Sequence, residues 1–159
     1  MAQPQWLHKE ETRAWYAFIG AGALINRRLD QQLKEDVGIT HLQYEILVRL
    51  DSAPDREVRM SGLADALYNS KSGLTYQITQ MEKAGLVRRR CCPSDVRAVY
   101  AVITDDGRRM LERAAPGHVA LVRELLIDVL TPQQLTTIAD GLGEVNRRMQ
   151  DGRPASSPR

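Results

Sequence analysis

Ser70, Lys71, Ser72, Gly73, Thr75, Tyr76, Thr79, Gln80 and Lys83 are interleaved with Leu74, Ile78 and Met81. The three apolar residues stand at i, i+4 and i+7. A helix would therefore turn them to one face and the hydroxyls and amides to the other. Short hydroxyl and amide groups can reach base edges in a major groove, and Gly73 would allow close approach. The plainer reading is a solvated face, but such faces are usually full of Glu and Lys. Here no acid occurs in the segment before Glu82.

A second group lies just downstream: Arg88, Arg89, Arg90, Asp95 and Arg97. A guanidinium is planar and permanently charged, so Arg97 suits a phosphate or a minor groove. Asp95, two residues earlier, is expected to hold that side chain by a bidentate pair; the plainer reading is a weak surface ion pair. The formal charge of the 159-residue chain is only +2, but it is unevenly spread. Residues 71–97 hold six basic and two acidic residues, against eight and ten in residues 1–70 and eight of each in 98–159. A basic patch on a near-neutral body suits a surface that meets phosphate, although a solvated face can look the same.

Other chemistries find less support. His8, His41 and His118 have no metal-ligand spacing, and no metal or cofactor is expected. There is no Ser-His-Asp order, paired-acid constellation or phosphate-binding glycine loop, and Gly20, Gly22 and Gly73 form no nucleotide fingerprint. An enzyme is not expected. Cys91 and Cys92 are adjacent, too few for a disulfide framework. They follow three arginines, which would lower a thiol pKa and make them redox candidates. Strand neighbours point to opposite faces, however, so inert cysteines are the competing reading.

These residues need elements to hold them. Trp15, Phe18, Ile19, Gly22, Ile25, Leu29 and Leu33 predict an amphipathic helix over about Glu10 to Lys34, with Gly38 ending its extension. Thr40 to Gln43 has the form of a capping box for a helix reaching Leu50, broken by Ser52 to Asp55. Val58 and Met60 predict a short strand. Ser61 then caps a short helix, Tyr68-Asn69 turns, and Ser70 caps the next helix, which Gly85 closes. Leu86–Cys91 and Ala98–Ile103 read as a β-hairpin, with Pro93, Ser94, Asp95 and Arg97 in the link. Thr104 caps a long helix that Pro116-Gly117 bends. Thr131 to Gln134 opens a last helix carrying Leu135, Ile138, Leu142, Val145 and Met149, and residues 151–159 form a disordered tail. No run is long and apolar enough to span a membrane, and the polar N-terminus has no signal-peptide core. A cytoplasmic, nucleoid-associated protein is expected.

Two capped helices in succession followed by a hairpin make a helix-turn-helix with a wing. At this point the chain resembles a known family. Ser61-Gly62-Leu63-Ala64-Asp65-Ala66-Leu67, Gly73-Leu74-Thr75, Met81-Glu82-Lys83-Ala84-Gly85-Leu86-Val87-Arg88-Arg89, Asp95-Val96-Arg97 and Ile103-Thr104-Asp105-Asp106-Gly107 together resemble the MarR family of winged-helix transcriptional regulators. The resemblance covers about residues 10 to 150. It implies a homodimer on a pseudo-palindromic operator. The helix from Ser70 to Lys83 would enter the major groove and Arg97 the minor groove, with Asp95 in support. The loop-like stretch, about Cys92 to Val96, is short for the family. The fold expected is mainly α with a small β-hairpin wing. Residues 37–104 would bind DNA, and residues 1–36 with 105–150 would bury their apolar stripes against a second copy.

The resemblance also implies a small-molecule pocket, for which Trp15, Tyr16, Phe18, His41 and Tyr44 are candidates as receivers of an aromatic or phenolic ligand. Ordinary core packing is the alternative for them. The function expected is a sequence-specific, DNA-binding regulator released by such a ligand. The alternative is a winged-helix protein–protein adaptor that does not bind DNA.

Overall fold

The computed structural model describes residues 4–93 and 95–150. Helix α1 (Lys9–Val37) begins one residue earlier than the apolar pattern alone indicates, because His8 is its N-cap. The His8 ring accepts from the Glu11 amide, and the Glu11 carboxylate accepts from the His8 amide at 2.9 Å. The helix ends at Gly38, whose φ of 77° lies in the left-handed region and lets its amide bond back to the Leu33 and Lys34 carbonyls. Of the predicted α1 stripe, only Leu29 and Leu33 are buried; Trp15, Phe18 and Ile19 remain exposed. Helix α2 (His41–Asp51) opens with the expected capping box, Thr40 and Gln43 bonding reciprocally at 3.1 and 3.0 Å.

The strand expected at Val58 and Met60 is β1 (Glu57–Arg59), and Met60 already belongs to α3 (Met60–Ala66). Ser61 is therefore not a cap. The chain passes straight from a paired strand into the helix, and the N-cap is Arg59, which makes no side-chain capping bond. Tyr68 takes a left-handed φ of 52° in the turn to α4 (Lys71–Lys83). Ser70 caps α4 as expected, accepting from the Gly73 amide at 3.0 Å. Losing that bond leaves an orphan donor, so Ser70→Ala should cost about 1 kcal/mol in urea denaturation without changing the fold.

Strands β2 (Val87–Cys92) and β3 (Asp95–Ile103) form the hairpin, and β1 adds to the far edge of β3 in an antiparallel sheet of order β1-β3-β2. The second strand is longer than predicted. Asp95 and Arg97 are strand residues and not loop residues, and the connection at the tip is correspondingly short. Register slips between Cys91 and Cys92, which face Val99 and Asp95 respectively. Leu33, Ile46, Leu47, Leu50, Leu63, Leu74, Ile78 and Met81 are fully buried and make the core beneath this arrangement.

Helix α5 (Asp105–Val122) is tied to the foot of the hairpin. Thr104 Oγ1 donates to the Gly85 carbonyl at 2.6 Å and accepts from the Gly107 amide at 3.0 Å, while the Thr104 amide reaches the Leu86 carbonyl at 3.1 Å. The bend expected at Pro116-Gly117 does not interrupt α5, which continues as a helix through both residues. Gly117 has a different role: a β-carbon there would meet Gln32 Nε2 at 2.9 Å and Asp36 Oδ2 at 3.1 Å, so α5 lies close against α1. The departure from α geometry comes later, as a π-helical turn over Arg123–Ile127.

The chain divides into two units, Met1–Val119 and Ala120–Arg159. The second contains the π turn and α6 (Pro132–Gln150), which starts with the predicted Thr131–Gln134 capping box. No residue of α6 is buried, and Ile138, Leu142, Val145 and Met149 are exposed along one stripe. The tail expected over residues 151–159 lies outside the described residues. Among the described residues, no helix is long and apolar enough to cross a membrane.

Candidate nucleic-acid interface

Helix α4 presents the predicted division of faces. Leu74, Ile78 and Met81 are buried, while Lys71, Ser72, Thr75, Tyr76 and Lys83 are exposed and Gln80 is half-buried. Two predicted readers have other duties. Ser70 Oγ is occupied as the helix cap, with Ser72 Oγ 3.3 Å away. Thr79 Oγ1 donates to the Thr75 carbonyl and accepts from Arg89 Nη2, both at 2.8 Å. Thr75, exposed on the helix, donates its hydroxyl back to Lys71 O at 2.8 Å.

The three consecutive arginines divide in the same way. Arg89 is a clamp between wing and helix. Its guanidinium meets Glu82 at 2.5 Å and the Thr75 carbonyl at 3.1 Å, and its amide donates to Glu82 at 2.8 Å. Arg90 forms a bidentate pair with Glu57 and lies 4.9 Å over the Tyr100 ring. The pairing with Arg90 holds the Glu57 carboxyl below its usual range. Both side chains are thus engaged within the protein, Arg89 by Glu82 and Arg90 by Glu57. Arg88 is exposed, and its charge adds to that of Arg90 in lowering the Glu57 carboxyl.

Asp95 supports Arg97 differently from expectation. Its carboxylate accepts from the Arg97 backbone amide at 3.0 Å and pairs with Arg59 at 3.6 Å; no bidentate pair with the Arg97 guanidinium is formed. The carboxylate shapes the wing turn and leaves the Arg97 side chain exposed. Between wing and helix lies a cleft of about 400 Å³ whose lining includes Arg59, Ser61, Lys71, Thr75, Arg89 and Arg97. Of the cationic side chains around the cleft, Lys71 and Arg97 have no ion-pair partner among the described residues and can meet adjacent phosphates, while Arg89 holds Glu82 and Arg59 pairs with Asp95. Arg59 was missed by sequence reasoning. It joins the group because β1 pairs with β3, opposite Tyr100, across forty residues of intervening chain.

The five candidate pocket residues are not brought together. Trp15 and Phe18 meet each other at 6.5 Å between ring centroids and, with Tyr16, stand exposed. Asp30, which accepts from the His41 amide at 2.9 Å, lies about 22 Å further along α1 than Trp15. There Tyr44 is buried and packs on His118 at 4.2 Å, and His41 stacks on His118 at 5.4 Å. Burial raises the Tyr44 pKa, so its phenol stays protonated. Cys91 is exposed and Cys92 half-buried, and they form no disulfide.

Comparison with known proteins agrees with this geometry. The family model described as "MarR family" matches residues 39–99, from the start of α2 into β3. AbsC, a MarR family transcriptional regulator from Streptomyces coelicolor, is 39% identical, with 93% of this chain and 99% of that one aligned at a TM-score of 0.87. Sco3205, a MarR family transcriptional regulator from the same organism solved in complex with DNA, is 41% identical, with 97% and 94% aligned at a TM-score of 0.85. The HTH-type transcriptional regulator PecS of Dickeya dadantii is 28% identical over 132 residues, 82% of this chain and 78% of that one. With the winged helix-turn-helix formed, its polar helix face turned outward and identities of 39 and 41% holding over nearly the whole of both solved chains, this protein belongs to the MarR family of DNA-binding transcriptional regulators.

Proposed function

We propose that the chain acts as a homodimer on a pseudo-palindromic operator, each α4 in a major groove and each Arg97 in the flanking minor groove. The observation that carries this is the cleft between α4 and the wing. It gathers Arg59, Lys71, Arg89 and Arg97, while the one acid on the α4 face, Glu82, is neutralised by Arg89. Residues 37–104 supply the DNA contact. Residues 1–36 and 105–150 supply the dimer, which would cover the apolar side chains left exposed on α1 and α6. A twofold axis through such an assembly sets the two α4 helices about 34 Å apart, one turn of the duplex.

A duplex from the gene's own upstream region, labelled for anisotropy, tests the reading. The expected result is binding that weakens steeply with salt and a stoichiometry of two chains per duplex. Absence of binding at low salt would overturn it and favour the protein–protein adaptor. Leu142→Glu, which places a charge on the α6 stripe, should shift sedimentation from dimer to monomer and weaken operator binding with it.

Release by a small aromatic or phenolic ligand belongs to the same proposal. Trp15, Tyr16 and Phe18 support it, as an exposed aromatic group that a second copy would roof over. Aromatic acids added to the preformed complex should lower the anisotropy; an unchanged signal across a broad panel would assign these rings to dimer packing alone.

A further inference from the structure

We propose that His41, Glu45 and His118 form a binding site for a divalent first-row metal ion, zinc foremost. The histidines are 77 positions apart, and no spacing rule connects them. The fold does so, by laying α5 across the N-terminus of α2. One nitrogen from each ring and a Glu45 oxygen all lie within 4.8 Å of one another. His41 Nε2 is 3.7 Å from Glu45 Oε1, one helical turn away on α2. Zinc bound at about 2.0–2.1 Å sets tetrahedral ligands about 3.3 Å apart, so modest side-chain rotations would close the site.

An orphaned atom marks the place. His118 is buried, and its Nδ1 has no hydrogen-bond partner. Buried polar nitrogens nearly always have one, and a bare imidazole nitrogen is costly unless something occupies it. A core histidine kept only for packing would need no carboxylate nearby, yet Glu45 supplies one.

The surroundings would orient the ligands. Asp30 anchors the backbone at His41, and the Tyr44 ring braces the His118 ring. Two imidazoles and one carboxylate suit zinc better than magnesium or calcium, which prefer all-oxygen sites. Three protein ligands leave a fourth position for water. An ion held here would cross-link α2 to α5.

The test uses the full-length chain stripped of metal by a chelator, with Zn²⁺ titrated against a chromophoric competitor and Co²⁺ followed by its visible ligand-field bands. One ion per chain is expected, with the bands of a tetrahedral site. His41→Gln and Glu45→Gln, both at partly exposed positions, should each weaken binding about tenfold or more. His118→Gln should abolish binding while far-ultraviolet circular dichroism stays helical. A full-length Cys91→Ser, Cys92→Ser variant should bind as the unaltered chain does. Failure to bind one ion per chain, loss of binding in the cysteine variant, or unchanged affinity in His41→Gln and Glu45→Gln would each overturn the proposal. None of these readings depends on DNA.

Discussion

Gly107→Ala is expected to destabilise the protein by about 3 kcal/mol, towards the upper end for overpacking a tight site. A β-carbon on residue 107 would fall 2.1 Å from the Leu86 carbonyl oxygen and 2.9 Å from Ile103 Cγ1. The first of these is backbone and cannot swing aside. The Leu86 carbonyl also accepts from the Thr104 amide at 3.1 Å, so moving it would break the joint between wing and α5. The helical preference of alanine over glycine, about 1 kcal/mol, offsets only part of this. The measurement is the urea midpoint by circular dichroism. Gly62→Ala is the control: in α3, with nothing within 4 Å of its added carbon, it should be neutral or slightly stabilising. Equal behaviour of the two variants would contradict the packing described.

Arg97→Ala should lower operator affinity about 10- to 100-fold while leaving the melting temperature near that of the unaltered chain. The side chain is exposed on β3 and belongs to no ion pair among the described residues, so truncation should remove the proposed DNA contact and little else. In a dimer two such contacts are lost, and the slope of log affinity against log salt should fall by about two. Arg89→Ala provides the contrast. Its guanidinium joins Glu82, Thr75 and Thr79, so its removal should reduce stability and binding together and leave Glu82 as an unpaired acid facing the duplex. If Arg97→Ala melted early and Arg89→Ala did not, the division of labour between them would be reversed.

Local signals were the legible ones. The Thr40 and Thr131 capping boxes, the Ser70 cap, the buried face of α4 and the hairpin all followed from spacing, because each depends on residues within a turn or two. The Ser61 cap failed because β1 runs directly into α3, a boundary set by pairing with a strand forty residues away. The duties of the arginines were illegible for the same reason. Sequence shows three cations in a row, but only the fold supplies Glu82 and Glu57 to two of them. The wing motif was visible without its mechanism: Asp95 acts on the Arg97 backbone and on Arg59, not on the Arg97 guanidinium. The conjunction of His41 with His118 needed α5 folded against α2, which no local pattern announces.

The Arg89 clamp constrains how this regulator can be switched off. Because one side chain fastens the root of the wing to two successive turns of α4, the groove-reading parts cannot be re-aimed separately. In the proposed homodimer, a signal that loosens the grip on DNA would therefore have to shift an entire lobe against its twin, altering the span between half-sites. Alleles insensitive to such a signal should cluster along the helices joining the lobes and be scarce at the wing tip.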